Sequence, residues 1–115
     1  MNWHPLNTTE QLDLILEESK HTPVVIFKHS TRCSISSTAK SRLERQWDSK
    51  ELDNVKTYYL DLIAYRPVSN EVAEVLHVQH ESPQLLLVQD GMCTYNASHM
   101  SISADELKKK VAAVS

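Results

Sequence analysis

The run Val24–Phe27 constrains the fold more than any other part of the sequence. It contains only apolar residues, most of them β-branched, and it follows Pro23. An apolar run of this length without polar alternation is typical of a strand that is buried on both faces of a sheet. We therefore expect a central strand over Pro23–Lys28, inside an α/β protein.

Four helices are predicted from apolar residues at helical spacing and from their capping residues. Thr8 and Gln11 form a candidate capping box at the start of the first helix. The predicted helices cover about residues 8–19, 33–48, 67–76 and 103–114, with Cys33 or Ser34 opening the second, Pro67 the third and Ser103 the fourth. The positions expected to face the core are Ile35, Ala39, Leu43 and Trp47, then Val68, Val72, Val75 and Leu76, then Leu107, Val111 and Val114.

Three more strands are predicted at Val55–Leu62, Leu85–Val88 and Met92–Ala97, and Asp90-Gly91 is a hairpin turn signal between the last two. The order of elements is therefore α, β-α-β, α, β-β-α. Together with the cysteine motif described below, this order predicts a thioredoxin-like fold. We expect one domain over residues 1–115, with a central mixed sheet of four to five strands flanked by about four helices.

The composition excludes several classes of partner. The formal net charge of −3 gives no reason to expect a nucleic acid or an anionic membrane surface as partner. The apolar runs are far too short to span a bilayer, and residues 1–5 do not resemble a signal peptide. We therefore expect a cytoplasmic protein whose two cysteines are reduced thiols.

A candidate nucleophile follows the central strand. Cys33 comes after the polar segment His29–Arg32, where the second helix is predicted to begin. A helix N-terminus offers unpaired N–H groups and positive potential, which stabilise the thiolate, the reactive form of cysteine. Arg32 adds positive charge if its side chain turns toward the sulfur. We predict Cys33 as the catalytic nucleophile, with Arg32 beside it.

Ser36 stands where dithiol oxidoreductases carry their resolving cysteine. Its hydroxyl can donate a hydrogen bond to the thiolate but cannot form a disulfide. The second cysteine, Cys93, is predicted on the same face of its strand as Tyr95 and Ala97, and is explained more simply as a buried apolar residue than as a resolving thiol. A mixed disulfide on Cys33 would then be resolved by a separate thiol, which is monothiol chemistry.

Four segments of the sequence, taken in order, carry a resemblance to a known family. Residues 29–36 are His-Ser-Thr-Arg-Cys-Ser-Ile-Ser, and the other segments are Arg66–Glu71, Glu81–Gln84 and Ala97–His99. They resemble the monothiol bacilliredoxins, the YtxJ-like proteins of the bacillithiol system, and the resemblance covers nearly the whole chain. Ser34 departs from the family motif, which is usually Thr-Cys-Pro-Ile-Ser, and this departure concerns the reactivity of the thiol more than the fold.

This resemblance implies an enzyme of thiol–disulfide exchange that removes bacillithiol, or a similar low-molecular-weight thiol, from mixed disulfides on proteins. Cys33 would attack the mixed disulfide and take up the small thiol as co-substrate. The expected partners are S-thiolated client proteins and that thiol, with no metal and no permanently bound cofactor. We expect a bacterial protein that is a monomer or a weak dimer.

The resemblance also implies substrate contacts. Proteins of this fold place a cis-proline opposite the active cysteine, and Pro83 fits that position, leaving the Ser82 backbone free to pair with an extended substrate. Arg66 can hold the carboxylates of the malate group of bacillithiol, or it is simply solvated. Ser98 and His99 occupy the segment where similar glutaredoxins hold the polar end of their cofactor, although Ser98 can instead cap the turn.

Three histidines have simpler explanations than a catalytic or metal-binding role. His29 can act as a base toward Cys33, but a polar residue at the end of a strand is the more economical interpretation. His77 and His80 are three residues apart, which permits a metal pair. Without an evident third ligand, we expect both to be exposed at a helix end.

Other functions remain open at this point. A non-catalytic adaptor with the same fold would bury or misplace Cys33. A monothiol glutaredoxin that binds an iron–sulfur cluster is a second alternative, but its Cys-Gly-Phe-Ser motif shares only the first and last positions with residues 33–36. A phosphatase-type Cys-x5-Arg loop is excluded, because Ala39 stands where the arginine would be.

Overall fold

The strand predicted at Pro23–Lys28 is the middle of a five-stranded sheet in the computed structural model. The structure describes residues 2–48, 50–52 and 54–114, without the side chains of residues 113 and 114, so the inward position predicted for Val114 lies outside it. Within these residues the strands are β1 (Trp3–Pro5), β2 (Val24–His29), β3 (Lys56–Asp61), β4 (Gln84–Gln89) and β5 (Met92–Ser98). The helices are α1 (Thr9–Glu18), α2 (Ser34–Gln46), α3 (Arg66–Val75) and α4 (Ala104–Val114), and a 3-10 helix, His99–Ser101, precedes α4.

The sheet is mixed and has the order β1-β3-β2-β4-β5. Strand β3 runs parallel to both β1 and β2, whereas β4 is antiparallel to β2 and to β5. Every residue of β2 is buried, because this strand has a neighbour on each side and helices on both faces. The predicted mixed sheet is confirmed, with five strands.

Helices cover both faces of the sheet, and each face has its own core. Helices α1 and α3 pack on one set of alternate residues of β2, Val24 and Ile26, whereas α2 and α4 pack on the other set, Val25 and Phe27. The alternation of side chains along the strand therefore divides the core into two layers. In the part of the chain described, no helix combines the length and the apolar character that crossing a bilayer requires.

The predicted capping box of α1 is confirmed. The backbone N–H of Gln11 donates to Thr8 Oγ1 at 3.2 Å, and the backbone N–H of Thr8 donates to Gln11 Oε1 at 3.1 Å. Two N–H groups that the first turn of a helix leaves without an intrahelical acceptor are thus paired. The start of α1 is fixed by local sequence alone.

The later strands lie within one residue of their predicted limits, and the hairpin turn is where the sequence indicates it. Asp90 and Gly91 have φ angles of +53° and +74°, the left-handed region that a tight hairpin turn needs at both central positions. Asparagine, aspartate and glycine adopt this region most readily, which explains why the turn could be predicted.

The predicted orientation of Cys93 is wrong. The register of the β4–β5 pair shifts between Leu87 and Val88, so that Tyr95 pairs with Leu87 but Cys93 pairs with Val88. This bulge inserts one residue and reverses the alternation along β5. Cys93 therefore packs on the α1–α3 layer, while Tyr95 and Ala97 belong to the α2–α4 layer.

The inward position predicted for Ile35 is also wrong. Ile35 is 49% exposed, and the inward residue in the first turn of α2 is Ser36, which is fully buried. Ala39 and Leu43 follow Ser36 on the buried stripe as expected. The inward position of the first turn faces the imidazole of His29 and the backbone N–H of Ser30. A serine hydroxyl can form hydrogen bonds with both groups, whereas an isoleucine side chain cannot.

Strand β1 was not predicted. It has only three residues, too few to show a strand period, and ends in Pro5, and its backbone pairs with β3 at the edge of the sheet. Trp3 anchors it: the ring packs 5.9 Å from that of Phe27, and Nε1 donates to Glu44 Oε2 at 2.8 Å. Its existence depends on a tertiary partner and not on local sequence.

Candidate functional site

Most of the residues predicted to carry function meet at one edge of the sheet. Strands β2, β3 and β5 end there, and β4 begins there, because His29 pairs with Asp61, Lys28 with Gln84, and Gln84 with Ser98. The loop that follows β2 leads into α2 and carries the cysteine. The edge thus collects the cysteine loop, the proline before β4 and the segment after β5.

Cys33 is half-buried and is the residue immediately before the first turn of α2. Its backbone is extended, its N–H donates to the carbonyl of Ser30 at 3.2 Å, and its carbonyl accepts from the N–H of Ser37 at 3.1 Å. No side-chain bond caps this helix, and its first turn contains no acidic residue. Cys33 is therefore the residue at the N-terminal end of α2, which is the positive end of the helix dipole.

Ser36 lies beneath the cysteine loop and is fully buried. Its hydroxyl oxygen accepts from the backbone N–H of Ser30 at 3.0 Å and lies 2.6 Å from Nδ1 of His29. These two contacts occupy the hydroxyl, so its described partners are His29 and Ser30. The hydrogen bond to the thiolate stays a prediction.

His29 is buried at the end of β2, with 6% of its surface exposed. Burial lowers the pKa of its imidazole, and the positive charge of Lys40 lowers it further, against the opposing effect of the carboxylates of Asp61 and Glu44. The ring is therefore neutral near pH 7. His29 is a polar residue at the end of a strand, as expected, and its side chain bonds to Ser36. The role of a base toward Cys33 stays a prediction.

The two predicted arginines are both exposed. Arg32 directly precedes Cys33 in the loop, and Arg66 is the first residue of α3. The charge of Arg66 lowers the pKa values of Lys28 and His80, which places its guanidinium within electrostatic range of both. Arg66 therefore contributes positive charge to this end of the sheet, as a carboxylate-binding role requires.

The peptide bond between Ser82 and Pro83 is cis, as expected from the resemblance. Pro83 immediately precedes Gln84, the residue of β4 that pairs with Lys28 near the end of β2. The carbonyl of Pro83 accepts from the N–H of His99 at 3.0 Å, so this loop and the segment after β5 are joined. The hydroxyl of Ser82 is buried and has no hydrogen-bond partner among the described residues.

The hydroxyl of Ser98 is bonded to a neighbouring loop and does not cap the turn, and its role in binding a ligand stays a prediction. Its hydroxyl donates to the carboxylate of Glu81, and it makes no side-chain bond to the 3-10 helix that follows. The capping role is therefore wrong, because the carboxylate of the neighbouring loop takes the hydroxyl. His99 is exposed beside it, with a φ angle of +54°.

Lys28 is a polar residue of this region that the sequence analysis did not single out. Its side chain is fully buried in the α1–α3 layer, where Nζ donates to the carbonyl of Ser69 and to Nδ1 of His80, each at 3.2 Å. Burial lowers its pKa to about 8, and the charge of Arg66 contributes to the shift. A lysine that ends an otherwise apolar strand was the available signal.

The prediction that His80 is exposed is wrong, because Lys28 and Ser69 cover it. Its Nδ1 lies 3.4 Å from Ser69 Oγ, and the residue is half-buried, whereas His77 is exposed after the end of α3. Within the described residues, no group of three or more His, Cys, Asp and Glu side chains is arranged to hold a metal ion. The His77–His80 spacing is thus explained by the end of the helix and by Lys28.

The second thiol is remote from the first. Cys93 pairs with Val88, and Val88 pairs with Val24 at the beginning of β2, whereas Cys33 follows the end of β2. The length of β2, about 3.3 Å per residue, separates the two ends of the sheet. A disulfide needs Cα atoms about 4.4–6.8 Å apart, so Cys93 cannot resolve Cys33 within the folded chain.

Solved structures with a similar fold support the architecture. A protein described as a candidate oxidoreductase with a thioredoxin fold is 30% identical and superimposes with a TM-score of 0.80, over 93% of this chain and 91% of the other. Thioredoxin from Fasciola hepatica is 16% identical, with a TM-score of 0.71 over 96% and 97% of the two chains. Thioredoxin from Malassezia sympodialis is 15% identical, with a TM-score of 0.74 over 97% and 90%. The predicted thioredoxin-like fold is confirmed.

The family is shown by the sequence itself. A family model described as Monothiol bacilliredoxin BrxC matches residues 4–107. This range includes the cysteine loop, α3, the cis-proline and the segment after β5, all of which meet at the edge described above. The chain belongs to the monothiol bacilliredoxin family of thioredoxin-fold proteins.

Proposed function

We propose that this protein removes bacillithiol, or a similar low-molecular-weight thiol, from mixed disulfides on client proteins. The observation that carries this proposal is the position of Cys33, half-buried before the first turn of α2, with a serine three residues later and the second thiol at the far end of the sheet. Membership of the monothiol bacilliredoxin family supports the same chemistry.

In the proposed reaction the thiolate of Cys33 attacks the bacillithiol sulfur of the mixed disulfide. A disulfide forms between Cys33 and bacillithiol, the original S–S bond breaks, and the client sulfur leaves as a thiolate that takes a proton from water. A second, external thiol then attacks the bacillithiol sulfur of the adduct. Cys33 is released as a thiolate, and bacillithiol leaves in a disulfide with the second thiol, so one disulfide is broken and one is formed and the oxidation passes from the client sulfur to the second thiol.

Two features of the edge suit the two parts of the proposed substrate, which are a small thiol with carboxylates and an extended client segment. Arg66 presents a guanidinium at the start of α3, and a guanidinium binds a carboxylate through two parallel hydrogen bonds. Residue Ser82, before the cis bond, offers backbone groups to an extended client segment, in the manner of an added strand. The hydroxyl of Ser98 is already bonded to Glu81, so we assign the carboxylate-binding role to Arg66.

The proposal is tested by reacting the protein with a client peptide that carries bacillithiol in a mixed disulfide and measuring intact mass. We expect a bacillithiol adduct on the wild-type protein and on Cys93→Ser, and none on Cys33→Ser. The Cys93→Ser variant is the matched control, because it removes the other thiol of the chain. An adduct on Cys33→Ser at the wild-type rate would contradict the assignment of the nucleophile.

The identity of the small thiol is tested by the same assay with a glutathione mixed disulfide. We expect the bacillithiol disulfide to react faster, and we expect Arg66→Ala to reduce that preference more than it reduces the reaction with a mixed disulfide of a thiol without carboxylates. Faster reaction with glutathione would contradict the choice of bacillithiol. No adduct with any disulfide would favour a non-catalytic adaptor.

A further inference from the structure

A chain of hydrogen bonds connects the end of β2 to the turn that presents Cys33. His29 Nδ1 lies 2.6 Å from Ser36 Oγ, and Ser36 Oγ accepts from the N–H of Ser30 at 3.0 Å. The carbonyl of the same residue, Ser30, accepts from the N–H of Cys33 at 3.2 Å. Three hydrogen bonds and the backbone of Ser30 therefore connect the imidazole to the backbone of Cys33.

The direction of each bond follows from the donors and acceptors available. Ser36 Oγ accepts the N–H of Ser30, and the acceptor available to its own proton among the described residues is Nδ1 of His29. A neutral imidazole with its proton on Nε2 accepts that proton at Nδ1. Burial and the charge of Lys40 both lower the pKa of His29, which favours the neutral ring near pH 7. We assign its proton to Nε2, because a proton on Nδ1 would leave the hydroxyl proton of the buried Ser36 without an acceptor among the described residues.

The imidazole is held in place and is open to proton exchange. It packs against the rings of Tyr59, 5.5 Å away, and Phe27, 6.2 Å away, so that its orientation is fixed. One side of it lines a cleft of about 430 Å³ between α2 and the edge of the sheet. The charged groups that act on it are Lys40 and Glu44 from α2 and Asp61 from β3. The cleft residues are Trp3, His29, Ser37, Lys40, Ser41 and Tyr59.

We propose that His29 is a positioning residue for the exchange reaction: by accepting a hydrogen bond from Ser36 it fixes the Ser30–Cys33 turn and thereby the presentation of the Cys33 sulfur. This inference rests on the proposed function, in which Cys33 is the nucleophile. It also gives Ser36 a different role from that of a donor to the thiolate. Ser36 is the buried link that transmits the position of the imidazole to the turn.

Protonation of His29 would reverse the polarity of this link. A protonated imidazole carries a proton on Nδ1 and can only donate, so Ser36 Oγ would have to accept two hydrogens and redirect its own. The N–H groups of His29 and Ser30 would then compete for the same oxygen, and the hydrogen bond that holds the turn would weaken. The reactivity of Cys33 should therefore fall when His29 becomes charged, below the ordinary histidine pKa of about 6.5.

The first experiment measures the alkylation rate of Cys33 by iodoacetamide, with Cys93→Ser as the background so that only one thiol reacts. We expect His29→Leu to lower the rate about threefold to tenfold at pH 7, the range that the loss of one hydrogen bond represents. His29→Asn should restore most of the rate, because its side-chain amide offers an acceptor near the position of Nδ1. His77→Asn is the matched control, since His77 is exposed beyond α3, and should react like the background.

The second experiment asks whether His29 acts through Ser36. Ser36→Ala should lower the alkylation rate by a similar factor, and the double variant His29→Leu/Ser36→Ala should be no slower than the slower single variant. Effects that multiply in the double variant would overturn the proposal. So would a wild-type rate in His29→Leu.

The third experiment compares the alkylation rates of the wild type and of His29→Asn as the pH is varied. The ratio of the wild-type rate to the His29→Asn rate cancels the dependence of alkylation on the fraction of thiolate. We expect this ratio to be constant near neutral pH and to fall below the pKa of His29, and a ratio that is constant from pH 5 to pH 8 would overturn the proposal. Because alkylation uses no disulfide substrate, this failure is distinguishable from the absence of a bacillithiol adduct, which would overturn the proposed function instead.

Discussion

The buried amine of Lys28 donates a hydrogen bond of 3.2 Å to Nδ1 of His80, on the opposite face of the sheet from the His29–Ser36 pair. No carboxylate is among the described hydrogen-bond partners of this amine, whose other acceptor is the carbonyl of Ser69. Its pKa is lowered to about 8 because the charged form is poorly solvated there. The chain therefore carries a buried cation that costs free energy of folding at neutral pH.

We expect Lys28→Met to be more stable than the wild type at pH 7, by about 1–3 kcal/mol, since a fall from 10.5 to about 8 corresponds to roughly 3 kcal/mol before the lost hydrogen bonds are subtracted. Between these two pH values the unfolded state binds more protons than the folded state, so wild-type stability contributed by this group rises with pH. The advantage of the variant should shrink across pH 8 to 10.5. Urea unfolding at several pH values measures it.

The exposed Lys50 provides the control for this prediction. Lys50→Met should change the free energy of unfolding at pH 7 little, because the side chain is exposed. A stability difference between Lys28→Met and the wild type that does not vary between pH 7 and pH 10.5 would contradict the pKa shift of Lys28.

We expect the two cysteines to differ in reactivity in the folded protein. Burial raises the pKa of Cys93, whose S–H donates to the carbonyl of Tyr95 at 3.3 Å, whereas Cys33 lies at the start of a helix. At pH 7.5, iodoacetamide should label Cys33 several-fold faster, because burial shields the Cys93 sulfur and, by raising its pKa, lowers its thiolate fraction. Peptide mass spectrometry measures both rates, and in denaturant they should converge. Equal rates in the folded state would be inconsistent with the described burial of Cys93.

We expect Thr8→Ala to lower the free energy of unfolding by about 1 kcal/mol, because it removes the hydroxyl that pairs with the N–H of Gln11. Thr9→Ala is the matched control, since Thr9 is exposed within the first turn of α1 and alanine favours a helix. Both variants should retain wild-type reactivity at Cys33. Thermal or urea unfolding measures the difference, and equal stability of the two variants would argue against the capping box.

We expect Ser34→Pro, which restores the residue usual in the family motif, to keep the fold and to raise stability by about 0.4–1 kcal/mol. Ser34 is the first residue of α2, a position where proline is favoured because its missing N–H has no intrahelical partner. Cys33 already has φ −114° and ψ 120°, which suit a residue that precedes proline. Ser37→Pro, in the same helix where the N–H donates to Cys33, should destabilise instead.

Features set by local sequence were predicted well. The Thr8–Gln11 capping box, the turn at Asp90-Gly91 and the fully apolar strand β2 each depend on residues that are neighbours in the chain. The position of Cys33 before a helix belongs to the same class. These features fix the order of elements, and with the motif they were sufficient to indicate the fold.

Features that depend on pairing between distant segments were not predicted. Strand β1 exists through β3, and the bulge that turns Cys93 to the other layer exists through the register of β4 and β5. Ser36, and not Ile35, faces inward because its hydroxyl contacts His29. The spacing of apolar residues along the helix does not predict this contact. Polar contacts across the sheet edge therefore required the structure.

The distance between Cys33 and Cys93 has a consequence for turnover. In the proposed reaction, the other thiol of the chain, Cys93, lies out of reach of Cys33, so each cycle would pause at a protein loaded with a small thiol until an outside molecule unloads it. The fraction of loaded protein would then rise as free thiols in its surroundings become scarce, and would report their supply.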